Sequence, residues 1–270
     1  MVLTTAEAAL IAEVIHDEII EFKEPEAVGR RMFPVVARNE GDSIKIVKEG
    51  AWPRAQKVAE GAEAPLFQPS YTPTTKSYDK LAYRVGITHE MITDARWDLV
   101  KRSAQKAGMK IGLEETLDII NLAKSEAGIA FTVSGRWGGA NADELGDIST
   151  CIGKLNGANY GATTLVVHPA DYAHLAALDE FVHREKGGVG ADKFYKGDVL
   201  GLEVLSTTQM SENNFLILDR NQAGVDYVRE ELRQEEQVVV ERDLYDMVFY
   251  LRYKPAVLAP SAIVAATGYA

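Results

Sequence analysis

The sequence predicts an α+β fold, and two patterns lead to that prediction. One is a long amphipathic helix from Asp94 to about Lys124, in which apolar residues recur at helical spacing. The other is strand alternation, which is strict from Tyr245 to Tyr253 and is joined by further strand-like segments over the last fifty residues. A helix of roughly 30 residues spans about 45 Å, as long as a whole domain is wide. We therefore expect it to act as a structural spine.

The first element along the chain is a helix predicted over residues 4–23. Thr4 and Glu7 have the spacing of a capping box, and apolar residues form a stripe after them. The pattern leaves two placements open, because the helix could pack on its own domain or as an arm under a neighbouring subunit. Residues 24–42, which contain two prolines, are predicted to form a connector.

A long β-hairpin is predicted over residues 43–87. Its outgoing strand alternates Ile44 and Ile46 with polar residues, and its return strand alternates in the same way from Leu81 to Ile87. The tip between them, residues 49–74, contains prolines and glycines that argue against a regular ladder. An isolated two-stranded hairpin is marginal in water. We therefore expect another copy of the same chain to cover it.

The rest of the chain is predicted to form a second lobe and then a sheet. A loop at residues 130–145 precedes a short helix near 148–155, a buried strand at 165–167 and a helix opened by Pro169. Residues 183–197 hold four glycines and are predicted to form a mobile loop. Further strands are predicted at residues 202–205, 215–218, 225–228, 237–240 and 262–265.

The composition is that of a globular protein, since 46% apolar and 26% charged residues argue against disorder and against a disulfide scaffold. A formal charge of -11 would repel nucleic acid and anionic lipid, so sequence-specific DNA binding is not expected. The single cysteine, Cys151, cannot form an internal disulfide. No apolar run is long enough to span a bilayer and no secretory signal is recognised, so no membrane partner is expected.

Three patterns could indicate bound ions or phosphate, and each has a plainer interpretation. One set matches four positions of an EF-hand loop, but its flanks predict strands, so a turn is expected: Asp219, Asn221, Gly224 and Glu230. A second set could ligate a metal in an enzyme, but a proline prevents one helix face from holding all three: His168, Asp171 and His174. The glycines before Lys193 lack the rest of a phosphate-loop motif. No catalytic residue, cofactor or metal is therefore predicted.

Five segments carry a resemblance that covers nearly the whole chain. Before the long helix lie AEGAEAP at residues 59–65 and KLAYRVGITHEMI at 80–92. After it come LVVHPAD at 165–171, GDVLGLEVL at 197–205 and KPAVLAPSAIV at 254–264. In this order and spacing they resemble the major capsid proteins of tailed double-stranded DNA viruses, the Hong Kong 97 fold.

The resemblance implies an α+β, Hong Kong 97-like capsid fold of four regions. Residues 1–42 would be an N-terminal arm, and residues 43–90 an E-loop that extends over a neighbouring subunit. Residues 91–130 and 223–270 would form a P-domain with the spine helix and a long sheet, and residues 131–222 an A-domain around the capsomer axes. The chain would then be a structural protein that assembles with itself, as pentamers and hexamers, into an icosahedral shell around a double-stranded DNA genome.

The resemblance also implies two sets of contacts between subunits. The first lies at the E-loop tip and comprises Trp52, Arg54, Lys57, Glu60, Glu63 and Phe67. The second lies on a loop at the capsomer axis and comprises Arg184, Lys186, Lys193 and Lys196. Some relatives crosslink subunits through an E-loop lysine, a part that Lys57 could play, but no asparagine partner can be placed.

Further partners and a location follow from the same resemblance. The expected partners are portal, scaffold or decoration proteins and packaged DNA, which would be bound without sequence specificity. The protein would be assembled in the host cytoplasm and would reside in the virion. The alternative is an encapsulin-like nanocompartment shell, which has the same fold but packages a cargo enzyme.

Overall fold

A computed structural model describes residues 23, 27–38, 41–49, 55–60, 63–68, 70–88, 97–139, 142–179, 181–183, 195–239 and 244–268. The described α-helices are α1 (Gly29–Met32), α2 (Trp97–Ser125), α3 (Glu144–Gly157) and α4 (Pro169–Leu175), and a short 3-10 helix covers Pro260–Ala262. The strands are β1 (Val35–Ala37), β2 (Ser43–Glu49), β3 (Tyr71–Ser77), β4 (Asp79–Thr88), β5 (Ile129–Thr132), β6 (Thr164–Val167), β7 (Val182–His183), β8 (Tyr195–Val199), β9 (Leu202–Ser206), β10 (Phe215–Leu218), β11 (Gly224–Val239), β12 (Leu244–Val257) and β13 (Ile263–Thr267). They form sheets of four, seven and two strands.

The four-stranded sheet has the order β1-β11-β12-β4, and helix α2 lies across it. Alternate residues of β12 point into the interface, and Phe249 and Tyr253 are among the largest fully buried side chains. They meet a stripe of small and apolar residues on the helix, from Ala104 and Ala107 to Ile111. The predicted spine helix and the strict alternation in the last fifty residues are therefore confirmed.

The seven-stranded sheet has the order β5-β13-β10-β6-β9-β8-β7 and is covered on both faces. Leu165 and Val167 of β6 pack towards α3, whereas Val166 between them packs towards α1 and the end of α2. Every residue of β6 and β10 is buried. Strands buried on both faces need continuous apolar runs, which is what these segments have.

Several predicted elements of the second lobe are confirmed at or near their predicted positions. These are the short helix (α3), the helix opened by Pro169 (α4), and strands β6, β9, β10 and β13. The start of α3 is capped by Asp143, which accepts a hydrogen bond of 2.9 Å from the Gly146 amide. The turn at Asp219 is also confirmed, since its carboxylate accepts from the Asn221 amide between two strands.

The predicted return strand of the hairpin is wrong. Strand β2 pairs with β3, from Ser43 opposite Ser77 to Glu49 opposite Tyr71, whereas residues 79–88 form β4 and pair with β12. The alternation in β4 correctly indicated a strand but not its partner. Pro73, which argued against a ladder, lies opposite Val47 in β3. Both strands of a two-stranded sheet are edge strands, where proline is tolerated.

Two further expectations need correction. The connector predicted over residues 24–42 contains α1 and β1, and β1 pairs in parallel with β11. The two strands predicted at 225–228 and 237–240 are one strand, β11, with irregular register around Glu230 that breaks the apolar alternation between them. The helix predicted over residues 4–23 lies outside the described residues except for Lys23, and so does most of the loop predicted at 183–197.

Candidate assembly surfaces

The hairpin formed by β2, β3 and the tip between them is the least covered part of the described chain. Seven paired residues give it a length of about 24 Å. At its base, Ile44 and Ile46 are buried against Ala256, with Tyr78, Tyr227 and Leu258 partly buried around them. This part of the hairpin is therefore covered by its own chain, and the expectation that only another copy could cover it is wrong for the base.

One ion pair adds to the attachment of the hairpin, since Lys76 Nζ on β3 lies 3.0 Å from Glu126 Oε1 just after α2. A second pair lies beside it within the four-stranded sheet, where Lys254 Nζ on β12 is 2.6 Å from Asp79 Oδ2 on β4. Lys76, Asp79 and Lys254 line a groove of about 630 Å³ between the base of the hairpin and helix α2. Partly exposed ion pairs of this kind contribute little, typically below about 1 kcal/mol each. The hairpin thus depends mainly on two buried isoleucines.

The outer part of the hairpin exposes apolar side chains to solvent. Leu66 is 87% exposed, and Tyr71 is 52% exposed. Val47, Val58 and Phe67 are also among the exposed large apolar residues. Single exposed apolar residues are ordinary, but a concentration of them on one projecting element is typical of a surface that contacts another protein.

The structure places four of the six predicted tip contacts on this outer part. Lys57, Glu60, Glu63 and Phe67 are all exposed and lie in segments without regular secondary structure. The other two, Trp52 and Arg54, lie outside the described residues. The contacts of all six residues with a neighbouring subunit therefore stay a prediction.

The predicted capsomer-axis contacts are described at one position only. Arg184, Lys186 and Lys193 lie outside the described residues. Lys196 is in β8, at the edge region of the seven-stranded sheet where β8 pairs with β7 and β9. Their role also stays a prediction.

A buried group of charged residues, which sequence reasoning did not identify, joins the start of the described chain to the spine helix. Glu115 on α2 is fully buried and binds two cations: its Oε2 lies 3.2 Å from Lys23 Nζ, and its Oε1 lies 2.5 Å from Arg30 Nε. Arg30 also reaches Glu231 on β11, with an Nη2 to Oε2 distance of 3.1 Å. One signal was available, because Glu115 continues the buried stripe four residues after Ile111.

Two of the three residues considered as metal ligands, His168 and Asp171, have structural partners. His168 Nδ1 accepts a hydrogen bond of 3.2 Å from the Ala170 amide and so caps α4. Asp171 is buried, and it accepts a hydrogen bond of 2.8 Å from the Asn213 amide. Among the described residues, no three His, Cys, Asp or Glu side chains are grouped as a metal site requires. No described helix is both long enough and apolar enough to cross a membrane.

Comparison with known proteins identifies the class to which this geometry belongs. The family model described as the phage capsid family matches residues 7–268, and the chain belongs to that family. No curated protein sequence matches the chain. The fold is nevertheless shared with many solved capsid structures, and at the identities given below the likeness concerns the fold alone.

Three solved structures illustrate the likeness. A structure from Mycobacterium phage Bobi has a TM-score of 0.69 at 16% identity, and one from Mycobacterium phage Adephagia has 0.68 at 17%, each with 90% of both chains covered. A virus-like particle from Pyrococcus furiosus has a TM-score of 0.62 at 17% identity, with 92% of this chain and 98% of that chain covered.

These findings confirm the family and the Hong Kong 97-like fold expected from the sequence. The protein is a capsid shell protein, a structural and non-enzymatic component of the virion. Its work is done by surfaces that meet other copies of itself.

Proposed function

We propose that copies of this chain assemble into a closed icosahedral shell that encloses a double-stranded DNA genome. The observation that carries the proposal is the hairpin, whose base is covered by its own chain and whose outer part exposes apolar side chains. When a neighbouring subunit covers a surface of this kind, the burial of apolar area stabilises the assembly. In a shell, many such contacts act together, so each can be weak.

The hairpin tip is the proposed contact with the neighbouring subunit. Phe67 and Leu66 provide apolar area, while Lys57, Glu60 and Glu63 provide charges of both signs that can select the partner's orientation. In this arrangement residues 1–42 act as an N-terminal arm, 43–90 as the E-loop, 91–130 with 223–270 as the P-domain and 131–222 as the A-domain. The loop with Arg184, Lys186, Lys193 and Lys196 meets its counterparts at the capsomer axis.

Contact with packaged DNA is supported by a row of cations on the spine helix. Arg102, Lys106 and Lys110 are exposed and four residues apart, so they lie along the face of α2 that points away from the sheet. No carboxylate in the described part of the chain pairs with them. In a chain of formal charge -11, such a row gives a local surface to which phosphates can bind without sequence readout.

Other partners complete the proposed assembly. Portal and scaffold or decoration proteins would bind the shell, and the subunits would assemble in the host cytoplasm. The same fold could instead enclose a protein cargo, as the encapsulin-like alternative requires. The content of the particles distinguishes the two.

The test is to express the chain and to image the purified product by negative-stain electron microscopy. Closed particles of uniform size support the proposal, and a small soluble species in light scattering contradicts it. If particles form during infection, their content after nuclease treatment decides between genome and cargo. Protected double-stranded DNA supports the genome, whereas a stoichiometric enzyme without DNA supports the alternative.

The cation row is tested with the triple variant Arg102→Gln, Lys106→Gln and Lys110→Gln. The matched control changes three exposed basic residues on other elements by the same charge: Lys45→Gln, Arg136→Gln and Lys154→Gln. We expect both variants to form shells, and only the first to bind nonspecific duplex DNA more weakly and with a smaller salt dependence. Equal binding by both variants would show that α2 does not contact DNA.

A further inference from the structure

One carboxylate in the buried charged junction has no hydrogen-bond partner. The junction consists of five charged residues: Lys23, which lies six residues before the start of α1, Arg30 on α1, Glu115 on α2, and Asp226 and Glu231 on β11. Asp226 is fully buried, and both of its carboxylate oxygens lack a partner among the described residues. Buried carboxylates are normally hydrogen-bonded or paired, so this one needs a physical explanation.

The two cations of the junction are already engaged elsewhere. Lys23 and Arg30 both lie against Glu115, and Arg30 also binds Glu231. The main chain of Asp226 is fixed, because its amide donates to the Pro34 carbonyl at 3.0 Å and the residue lies between Val35 and Pro255 in the sheet. The carboxylate therefore cannot reach solvent without a local opening of the junction.

The charges of the junction balance only when Asp226 is neutral. Two cations and two carboxylates, Glu115 and Glu231, then cancel, whereas ionised Asp226 leaves one buried negative charge in excess. Burial raises the pKa of Asp226 to about 7, the charges of Glu115 and Glu231 act in the same direction, and Arg30 and Lys23 oppose them.

A further titratable group near Asp226 in the described part of the chain is Tyr253 on β12. Its hydroxyl donates to Asp118 at 2.5 Å, and its pKa is raised by burial and by that hydrogen bond, so it stays neutral. Lys23 has its pKa lowered by burial, while its attraction to Glu115 acts against that change. The pKa of Glu231 is lowered because its hydrogen bond and charge interaction with Arg30 outweigh burial. Asp226 is thus expected to titrate near neutrality.

We propose that Asp226 is a proton-sensitive latch, which holds Lys23 and helix α1 on the spine helix when it is protonated and loosens that attachment when it ionises. In an opened junction the carboxyl is hydrated and regains an ordinary pKa near 4. The closed state then binds one more proton than the open state between about pH 4 and pH 7, so closure is favoured on the acidic side of this range.

The sign and size of the effect follow from linkage. Because the pKa of Asp226 is higher in the closed state than in the open state, protonation stabilises the closed junction. This stabilisation is complete below the pKa of the open state and is lost as pH rises to the pKa of the closed state. The opening equilibrium should therefore increase about 100-fold between pH 5 and pH 8 and level off above pH 8. This behaviour belongs to the fold of the chain and does not depend on the shell.

The test is hydrogen exchange of the peptide that contains Lys23 and α1, measured from pH 5 to pH 8 and corrected for intrinsic exchange rates. The peptide of α3 serves as the internal reference, since it lies on the other side of the seven-stranded sheet. We expect protection of the first peptide to fall about 100-fold across this range while that of α3 stays constant. Unchanged protection of the first peptide would overturn the proposal.

The Asp226→Asn variant supplies a second readout because it keeps the shape and removes the charge. Its protection and melting temperature should match those of the wild type at pH 5 and exceed them at pH 8. The matched control is Asp147→Asn, which changes a buried aspartate whose carboxylate accepts hydrogen bonds from Ser134 and Trp137. It should destabilise the protein at both pH values. An equal difference between Asp226→Asn and wild type at the two pH values would contradict the latch, and if that variant does not fold, the wild-type exchange profile alone decides.

Discussion

The seven-stranded sheet and the two-stranded hairpin represent opposite ways of using apolar residues in one chain. In the sheet, β6 and β10 are buried at every position and both faces are covered by helices. In the hairpin, Ile44 and Ile46 are the buried residues at the base, while Leu66 and Tyr71 are exposed. The sheet buries its apolar side chains within the subunit, whereas the hairpin leaves several of its own exposed.

The largest loss of stability is expected from Phe215→Ala in β10, which tests the packing of the seven-stranded sheet. The Phe215 ring is buried and stacks on Trp137, with a centroid distance of 5.0 Å. Removing it leaves a cavity among residues that cannot collapse, so we expect a loss of about 3 to 5 kcal/mol in the free energy of unfolding. Urea denaturation of the unassembled subunit measures it.

The control for that variant is Tyr71→Ala on the hairpin, which removes an aromatic ring that is half exposed. Its expected effect on unfolding is below about 0.5 kcal/mol. If the two variants lose similar stability, the contrast between sheet and hairpin is wrong.

The attachment of the hairpin is tested by Ile46→Ala. Ile46 is buried in a small cluster with Ile44 and Ala256, so the expected loss is about 2 kcal/mol, at the lower end for such a change. The loss should be concentrated in the hairpin, and hydrogen exchange of β2 and β3 should increase more than that of β6. Val47→Ala, which changes the neighbouring exposed residue on the opposite face, should leave exchange unchanged.

The fold was largely predictable because its main signals are local. Apolar spacing identifies helix α2, and continuous or alternating apolar residues identify β6, β10 and β12. Strand pairing was less accessible. Strand β4 has a clear alternation, but nothing in it indicates that Tyr83 lies opposite Phe249 rather than opposite a residue of β2. The proline in β3 concealed the true return strand, because its tolerance depends on the strand being at an edge.

The buried junction was less predictable because its charges lie far apart in sequence. Arg30 and Glu231 are 201 residues apart, and charged residues are usually solvated. Two local signals were nevertheless present. Glu115 continues the buried helical stripe after Ile111, and Asp226 shares a strand face with buried Val228. A charge at a core position of a periodic pattern predicts a buried partner, although it cannot identify that partner.

A small effect on stability, with the largest on assembly, is expected from Leu66→Ser combined with Phe67→Ser. Leu66 is 87% exposed and Phe67 is 39% exposed in the subunit, so polar replacements should change the free energy of unfolding by less than about 1 kcal/mol. If a neighbour covers the tip, each subunit loses apolar contact area at every copy of the interface. Because the contacts act together, a small loss per contact should strongly reduce the yield of particles, measured by size-exclusion chromatography and electron microscopy.

A matched variant separates the tip from exposed apolar residues in general. Val35→Ser and Val36→Ser replace two apolar residues of β1, at the edge of the four-stranded sheet. The exposure of these two valines is comparable to that of Phe67. Particle formation that is lost with the tip variant and kept with the β1 variant would assign assembly to the hairpin. Wild-type yields from both variants would mean that the exposed tip is not an assembly contact, and loss of particles with both would extend the interface to β1. Particle yield therefore distinguishes the hairpin tip from β1, because neither double variant should unfold the subunit.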